Sequence, residues 1–162
     1  MVHVPPSYSP GTGVPLVLCF HGGGGSALIQ QVITGLNAKS DAEGFIAVYP
    51  DGFGNTRTWN GGNCCGAAAF LNKDDVRLTR QILDEMQAEF CIDPARIYAS
   101  GHSNGAILSN RLACELSDRI AAICAVGGGI GDVNPTDSTV YFNCGPSRPV
   151  PVLQIHGLQD GC

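Results

Sequence analysis

The sequence has few charged residues, few aromatic residues and no long apolar run. Charged residues make up 14% of its 162 residues, and there is a single tryptophan. No apolar stretch approaches the roughly 20 residues that a membrane-spanning helix needs, so we expect no membrane partner. Nine lysines and arginines stand against fourteen aspartates and glutamates, giving a net charge of −5. This acidity argues against nucleic acid as a partner.

The abundance of hydrophobic residues indicates a folded domain. Hydrophobic residues make up 44% of the chain, and its length of 162 residues fits one hydrophobic core. We therefore predict a single domain over residues 1–162. The 22 glycines cluster at 22–25, 61–62 and 127–129, beside apolar runs. Such clusters are typical of tight turns and of backbone that approaches a ligand closely.

Eight cysteines are many for this length, but they do not form two CxxC pairs, so no zinc site is predicted. Cys19 and Cys124 fall inside apolar runs and are interpreted as core residues. The remaining six are disulfide candidates: Cys64, Cys65, Cys91, Cys114, Cys144 and Cys162. Adjacent Cys64 and Cys65 are expected to have separate partners. Disulfides favour an extracellular protein, although residues 1–6 do not resemble a signal peptide.

Short apolar runs alternate with helical stripes along the chain. The runs predict strands buried on both faces, at Val14–His21, Gly44–Pro50, Arg96–Ser100, Ile120–Val126 and Val150–His156. The stripes predict helices within Ala27–Glu43, from Asp74 and Asp75 to Phe90, and over Ile107–Leu116 after Asn104. Long loops are expected at Asp51–Asn72 and Gly131–Arg148. This alternation predicts an α/β fold with a mostly parallel sheet between two helical layers.

The pentapeptide Gly101–Gly105 (GHSNG) fits the pattern G-x-S-x-G. The pattern alone is weak, but here a predicted strand enters it and a predicted helix leaves it, which is the arrangement of a nucleophile elbow. The turn would expose the hydroxyl of Ser103, and the helix N-terminus behind it would favour developing negative charge. Ser103 is therefore our candidate nucleophile; the alternative is an ordinary glycine-rich turn.

A second glycine-rich segment, His21–Gly25, follows the first predicted strand. Acyl transfer needs two N–H donors aimed at the oxyanion. In folds with a nucleophile elbow, one donor comes from the loop after an early strand and the other from the residue after the nucleophile. We assign these donors to Gly23 and Asn104. His21 is expected to brace the loop rather than to transfer a proton. No phosphate-binding pattern fits this segment.

The last predicted strand leads to Asp160, which is our candidate for the acid that orients the catalytic histidine. In enzymes with a nucleophile elbow the acid follows the serine in the chain, as Asp160 follows Ser103. The histidine itself is not evident. The chain has four histidines, and none is well placed to act as the base: His3, His21, His102 and His156. The expected position of the base is downstream of Cys162. The fold is accordingly predicted to be incomplete at the C-terminus.

Several segments together resemble the secreted polyhydroxybutyrate depolymerase and feruloyl esterase family, the LpqC-like carboxylesterases. They are HVPPSY, CFHGGGG, GFIAVYPDGFGNTRTWN, NKDDV, ARIYASGHSNGAILSNRLACELSDRIAA and VPVLQIHGLQD. The resemblance implies an α/β-hydrolase that cleaves polyhydroxyalkanoate, feruloyl or acetyl-xylan esters without a cofactor. It maps the nucleophile onto Ser103 and the acid onto Asp160, with the histidine on a later segment. The substrate could be polymeric, either a polyester or a plant cell-wall polysaccharide ester.

Three alternatives remain open at this point. The chain could be a catalytically inactive remnant that lacks its histidine, or it could use the same site as a peptidase or acyltransferase.

Asp74 and Asp75 resemble a family motif but are interpreted as a helix N-cap with no catalytic role. Trp59 could form a wall of an aromatic ester pocket, but a lone tryptophan in a long loop more often packs in the core.

Overall fold

A computed structural model describes residues 1–134 and 136–160 of the chain. The strands are β1 Val2–His3, β2 Val14–Phe20, β3 Ile46–Val48, β4 Ile92–His102, β5 Ala122–Val126 and β6 Val152–Ile155. The helices are α1 Ala27–Thr34, α2 Leu36–Glu43, α3 Gly66–Phe70, α4 Asp75–Glu89 and α5 Asn104–Glu115. The strands form one sheet in the order β1-β3-β2-β4-β5-β6. Only β1 is antiparallel to its neighbour, so the predicted, mostly parallel sheet is confirmed.

Successive side chains of a strand point to opposite faces of the sheet, so a continuous apolar strand gives both faces an apolar surface. Helices cover both of these faces. On β2, Leu18 and Phe20 belong to the larger cluster of buried side chains, which also contains α4 and α5 residues such as Leu83 and Leu108. Cys19, between them, belongs to the cluster on the opposite face, near α1 and α2. The expected three-layer arrangement follows from this alternation. No helix in the described part of the chain is long and apolar enough to cross a membrane.

Two expectations about helices are corrected. The stripe within Ala27–Glu43 forms α1 and α2 rather than one helix, because Gly35 takes a left-handed conformation with φ of 58°. The apolar residues Leu28 and Val32 are 57% and 71% exposed, while Ala27 and Gln30 are the buried residues of α1. The predicted loop Asp51–Asn72 also contains the short helix α3.

The expectation that every strand is buried on both faces is wrong for β6. All four of its residues are exposed, including Val152 at 53% and Leu153 at 58%. The reason is its position at the end of the strand order, where it pairs with β5. The inner strands behave as predicted, since Leu16 and Ile97 are fully buried. His21 lies just beyond β2, which ends at Phe20.

Candidate active site

The turn between β4 and α5 presents Ser103. This serine has φ of 53° and ψ of −119°, a region that residues with a side chain rarely adopt and that costs about 1–3 kcal/mol. Its amide donates to the carbonyl of Val126 on the neighbouring strand, at 2.8 Å. The helix begins immediately afterwards at Asn104, so the N-terminus of α5 lies directly behind the serine. The turn therefore has the strained strand-to-helix geometry that the pentapeptide predicts.

Two glycines allow this turn to pack tightly. A Cβ on Gly101 would lie 2.3 Å from the backbone of Gly105, and a Cβ on Gly105 would lie 2.3 Å from the carbonyl oxygen of Phe20. Both distances are far below ordinary van der Waals contact, and the atoms concerned are backbone atoms that cannot rotate away. Glycine at both positions is therefore required for α5 to start against β2 and β4.

The loop after β2 brings Gly22 and Gly23 beside the serine turn. A Cβ on Gly22 would lie 3.4 Å from the Cβ of Ser103, and one on Gly23 would lie 3.8 Å from the Cβ of Asn104. The loop closes through hydrogen bonds from the Gly25 amide to Gly22 and from the Gly24 amide to Arg57. Within residues 1–134 and 136–160, the amides of Gly23 and Asn104 donate to no protein acceptor. These amides can donate to a substrate oxygen.

His21 braces this loop, in agreement with the expectation. The imidazole is fully buried, and its Nε2 accepts from the amide of Gly52 at 2.9 Å. Nε2 is therefore unprotonated, so Nδ1 carries the hydrogen that it donates to the carbonyl of Gly22 at 2.7 Å. With both nitrogens engaged by backbone, His21 fixes the start of the glycine loop.

Trp59 is a core residue and does not wall a pocket, so the aromatic-pocket alternative is wrong. Its side chain is fully buried, 5.3 Å from the ring of Phe20 and 4.9 Å from that of His21 between centroids. The indole Nε1 donates to the carbonyl of His21 at 2.9 Å. The Trp59 amide donates to Asn104 Oδ1 at 2.7 Å, and Asn104 Nδ2 donates to the Trp59 carbonyl at 2.9 Å. Trp59 therefore joins the glycine loop to the start of α5.

The two aspartates at the start of α4 have different roles. Asp74 is the N-cap, as expected, and accepts from the amide of Arg77 at 2.9 Å. Asp75 is not a cap: it is 3% exposed, and its Oδ2 accepts from the amide of Asn60 at 2.6 Å. Burial raises the pKa of the Asp75 carboxyl, although the Asn60 amide and the Arg111 charge oppose the rise. No local pattern indicates this contact, because the two partners are 15 residues apart in the chain.

Open space flanks Ser103 on two sides. A cavity of about 610 Å³ is bordered by Ser103, the Cys64–Cys65 pair, Ile107, Gly127–Ile130 and Tyr141, with Asn63 and Asn134. A second, of about 320 Å³, lies on the side of the glycine loop and reaches His102 and the exposed α1 residues Ile29 and Ile33. The first has a volume in the range of small-molecule sites. A substrate can therefore extend from Ser103 in two directions.

Asp160 lies next to His156 in the structure. Asp160 Oδ2 is 3.1 Å from His156 Nε2, and both side chains are about a third exposed, at 29% and 34%. A pair this exposed contributes little to stability, about 0–1 kcal/mol. In the described part of the chain, no hydrogen bond joins the Ser103 hydroxyl to an imidazole. The geometry thus brings together Ser103, Gly23 and Asn104, and separately pairs Asp160 with a histidine.

The cysteines pair differently from the expectation. Cys64 is bonded to Cys65, so the prediction of separate partners is wrong; the two are brought together in the loop beside Ser103. Cys114 is bonded to Cys144, which ties α5 to the long loop before β6. Within the described residues, Cys91, another candidate, is bonded to no other cysteine, and the same holds for buried Cys19 and half-buried Cys124. Cys162 lies outside the described residues.

The arrangement of strands, helices and serine turn matches solved structures. An acetyl xylan esterase from Aspergillus awamori superposes with a TM-score of 0.68 at 18% identity, covering 86% of this chain and 50% of that one. A thermostable esterase superposes with a TM-score of 0.61 at 21% identity, covering 80% and 36%. The fold is that of an α/β-hydrolase. No family model matches this α/β-hydrolase chain.

Sequence relatives of the α/β-hydrolase chain are esterases. Feruloyl esterase B from Piromyces equi is 33% identical over 164 residues, which cover 99% of this chain and 28% of that protein. A bifunctional acetylxylan esterase/xylanase from Neocallimastix patriciarum is 30% identical, covering 98% and 21%. The putative esterase NocK from Nocardia uniformis is 34% identical, covering 91% and 40%. The predicted resemblance to feruloyl esterases is confirmed, and the chain spans less than half the length of these relatives.

Proposed function

We propose that this chain carries the nucleophile and the oxyanion hole of a serine esterase. The observation that carries the proposal is the position of Ser103, held at φ of 53° between a strand and a helix, next to the Gly23 and Asn104 amides. Acyl transfer requires a nucleophile that substrate can reach and two free amide donors. Half-buried Ser103 borders two cavities, and the two amides donate to no acceptor in the described part of the chain. The esterase names of the sequence relatives support the same reaction.

The proposed reaction has two steps. The Ser103 oxygen attacks the ester carbonyl, the carbonyl oxygen becomes an anion held by the Gly23 and Asn104 amides, and the alcohol leaves with a proton. Water then attacks the acyl-serine and releases the carboxylic acid. An imidazole accepts the Ser103 proton and returns it to the leaving alcohol, and we assign Asp160 to orient that imidazole. No step needs a metal or an organic cofactor.

We propose that the substrate is a carboxylic ester with its acyl group in the larger cavity. Ile107, Ile130 and Tyr141 give that cavity apolar walls, and its volume of about 610 Å³ can hold an acyl group of aromatic size. The names of the relatives favour feruloyl and acetyl-xylan esters of plant cell-wall polysaccharides. Polyhydroxyalkanoate esters are the alternative class. The open second cavity suits a polymeric alcohol portion.

We further propose that the protein acts outside the cell. The disulfide between Cys114 and Cys144 supports this location, because disulfides persist in oxidising compartments. A polysaccharide or polyester substrate would be met in the same environment.

Because the histidine base is predicted downstream of Cys162, the test uses a longer protein that contains these 162 residues. It measures hydrolysis of p-nitrophenyl acetate and methyl ferulate by the wild type, Ser103→Ala and Ser100→Ala. Ser100 lies on β4, three residues before Ser103, and serves as the matched control. A fluorophosphonate probe, with the adduct located by mass spectrometry, adds a readout of the nucleophile itself. We expect hydrolysis and labelling in the wild type and in Ser100→Ala but not in Ser103→Ala. Neither labelling nor turnover in the wild type would favour the inactive alternative.

A further inference from the structure

The carboxylate of Asp75 is buried for a reason that helix capping does not explain. Asp74 already caps α4, whereas Asp75 is 3% exposed and accepts from the Asn60 amide at 2.6 Å. Removing a carboxylate from water is costly unless specific partners compensate. The groups that face it are the Asn60 amide, the Arg111 and Lys73 charges, and the Asp74 carboxylate. Of these groups, the Asn60 amide is the one that donates a hydrogen bond to Asp75.

Residues 59 and 60 are held at four successive backbone groups by three side chains. Asn104 pairs with the amide and the carbonyl of Trp59, Asp75 accepts from the Asn60 amide, and Arg111 donates to the Asn60 carbonyl at 3.0 Å. Fixing the backbone of each residue costs conformational entropy, so an irregular segment keeps one path only when contacts of this kind fix it. The segment is thus fixed from α4 and α5 together.

This segment also supports both proposed oxyanion donors. Trp59 reaches Asn104 through its backbone and the His21 carbonyl through its indole nitrogen, at 2.9 Å. His21 in turn holds Gly22, the residue before Gly23. A shift of Trp59 would therefore move the two donors relative to each other.

We propose that Asp75 is a positioning residue for ester hydrolysis, which holds the Asn60 amide and thereby keeps Trp59 between the two oxyanion donors. This inference rests on the proposed function, because it concerns the same Ser103 site. Oxyanion donors act mainly on the transition state, so their displacement lowers kcat more than it changes KM. A misplacement of about 1 Å can lower the rate about 100-fold.

The experiment compares Asp75→Ala, Asp75→Asn and the control Asp74→Ala. Kinetics with p-nitrophenyl acetate use the longer protein of the functional test, and fluorescence uses the 162-residue chain. Trp59 is the only tryptophan, so intrinsic fluorescence reports its surroundings directly. For Asp75→Ala we expect kcat to fall at least about tenfold, KM to stay within about twofold, and the emission to shift to longer wavelength. Asp75→Asn keeps an acceptor for Asn60 and should stay within about threefold of the wild-type kcat. Asp74→Ala should lower Tm but leave kcat and the emission wavelength unchanged.

The outcomes separate the two proposals. A wild-type chain without Ser103-dependent hydrolysis overturns the proposed function. If the wild type is active but Asp75→Ala has the same kcat and emission wavelength as Asp74→Ala, the positioning role is overturned and the proposed function stands. If Asp75→Ala does not fold, Asp75→Glu takes its place, because the longer side chain moves the acceptor and keeps the charge. For Asp75→Glu we expect the same loss of kcat at constant KM. An unchanged kcat in this variant counts against the positioning role of Asp75.

Discussion

The side-chain amide of Asn104 forms a two-point pair with the backbone of Trp59. Oδ1 accepts from the Trp59 amide at 2.7 Å, and Nδ2 donates to the Trp59 carbonyl at 2.9 Å. Asn104 is 2% exposed and Trp59 is fully buried, so neither bond is easily replaced by water. The residue proposed to donate its own amide to the oxyanion therefore also uses its side chain to hold the loop beside it.

Asn104→Asp should destabilise the protein. The substitution keeps the shape of the side chain but places an oxygen against the Trp59 carbonyl, where Nδ2 now donates. The loss of this buried hydrogen bond should lower the free energy of unfolding by about 1–3 kcal/mol. Urea unfolding followed by Trp59 fluorescence measures the change. Asn143→Asp, at an exposed position, is the control, and an equal effect of the two substitutions contradicts the prediction.

Gly101→Ala should destabilise the strand-to-helix turn. The new Cβ would lie 2.3 Å from the Gly105 backbone, and overpacking against atoms that cannot rotate away costs about 1–3 kcal/mol or more. Gly145→Ala is the matched control, because no atom lies within 4 Å of the corresponding Cβ. Thermal unfolding should show a lower Tm for Gly101→Ala and little change for Gly145→Ala. Equal Tm values for these two variants would show that the turn can relax.

The strand-to-helix turn could be predicted from the sequence because its signals are contiguous. The apolar strand, the flanking glycines and the helix stripe lie within one short stretch around Ser103, and each is a local property. The His21–Gly25 loop was predictable for the same reason. The roles of Ser103, Gly23, Asn104 and Asp160 in catalysis stay predictions until the variants are assayed.

Contacts between distant segments could not be predicted in this way. Asp75 and Asn60 meet because an irregular loop returns to the start of α4, and no periodicity describes the path of that loop. The spacing of Leu28 and Val32 correctly predicts a helix, but it does not reveal that this apolar face of α1 is exposed. Cysteine pairing also depends on the path of the chain, since the Cys114–Cys144 bond joins two residues with a sequence separation of 30.

Removal of the Cys114–Cys144 disulfide should destabilise the folded chain. Closing a loop with a sequence separation of 30 lowers the entropy of the unfolded chain, which corresponds to about 3–4 kcal/mol in the chain-entropy description. We expect Cys144→Ala to approach that loss in urea unfolding, and Cys91→Ala, which removes a free thiol, to lose less. Reductant should lower the wild-type value towards that of Cys144→Ala. A wild type that is equally stable with and without reductant would contradict this expectation.

The charge of Asp75 should make stability fall as pH rises over an acidic range. Burial raises the pKa of this carboxyl, so the folded chain binds the proton more tightly than the unfolded chain does. The stabilisation from protonated Asp75 is therefore present at low pH. It is lost as the pH rises from the ordinary aspartate value of about 3.9 through the raised value. The difference in unfolding free energy between the wild type and Asp75→Asn should decrease over that interval and level off above it.

Asp93 provides a control of opposite sign for this titration. The Arg96 side chain, and then the Ala95 amide, lower the pKa of the exposed Asp93 carboxyl. Its stabilisation is present above the ordinary aspartate pKa and is lost as the pH falls through the lowered value, so the difference between wild type and Asp93→Asn should increase with pH. Urea unfolding of the three proteins across acidic pH gives both differences. If both differences increase with pH, the carboxylate of Asp75 is not destabilised by burial, and its contact with Asn60 would then have to outweigh the loss of solvation.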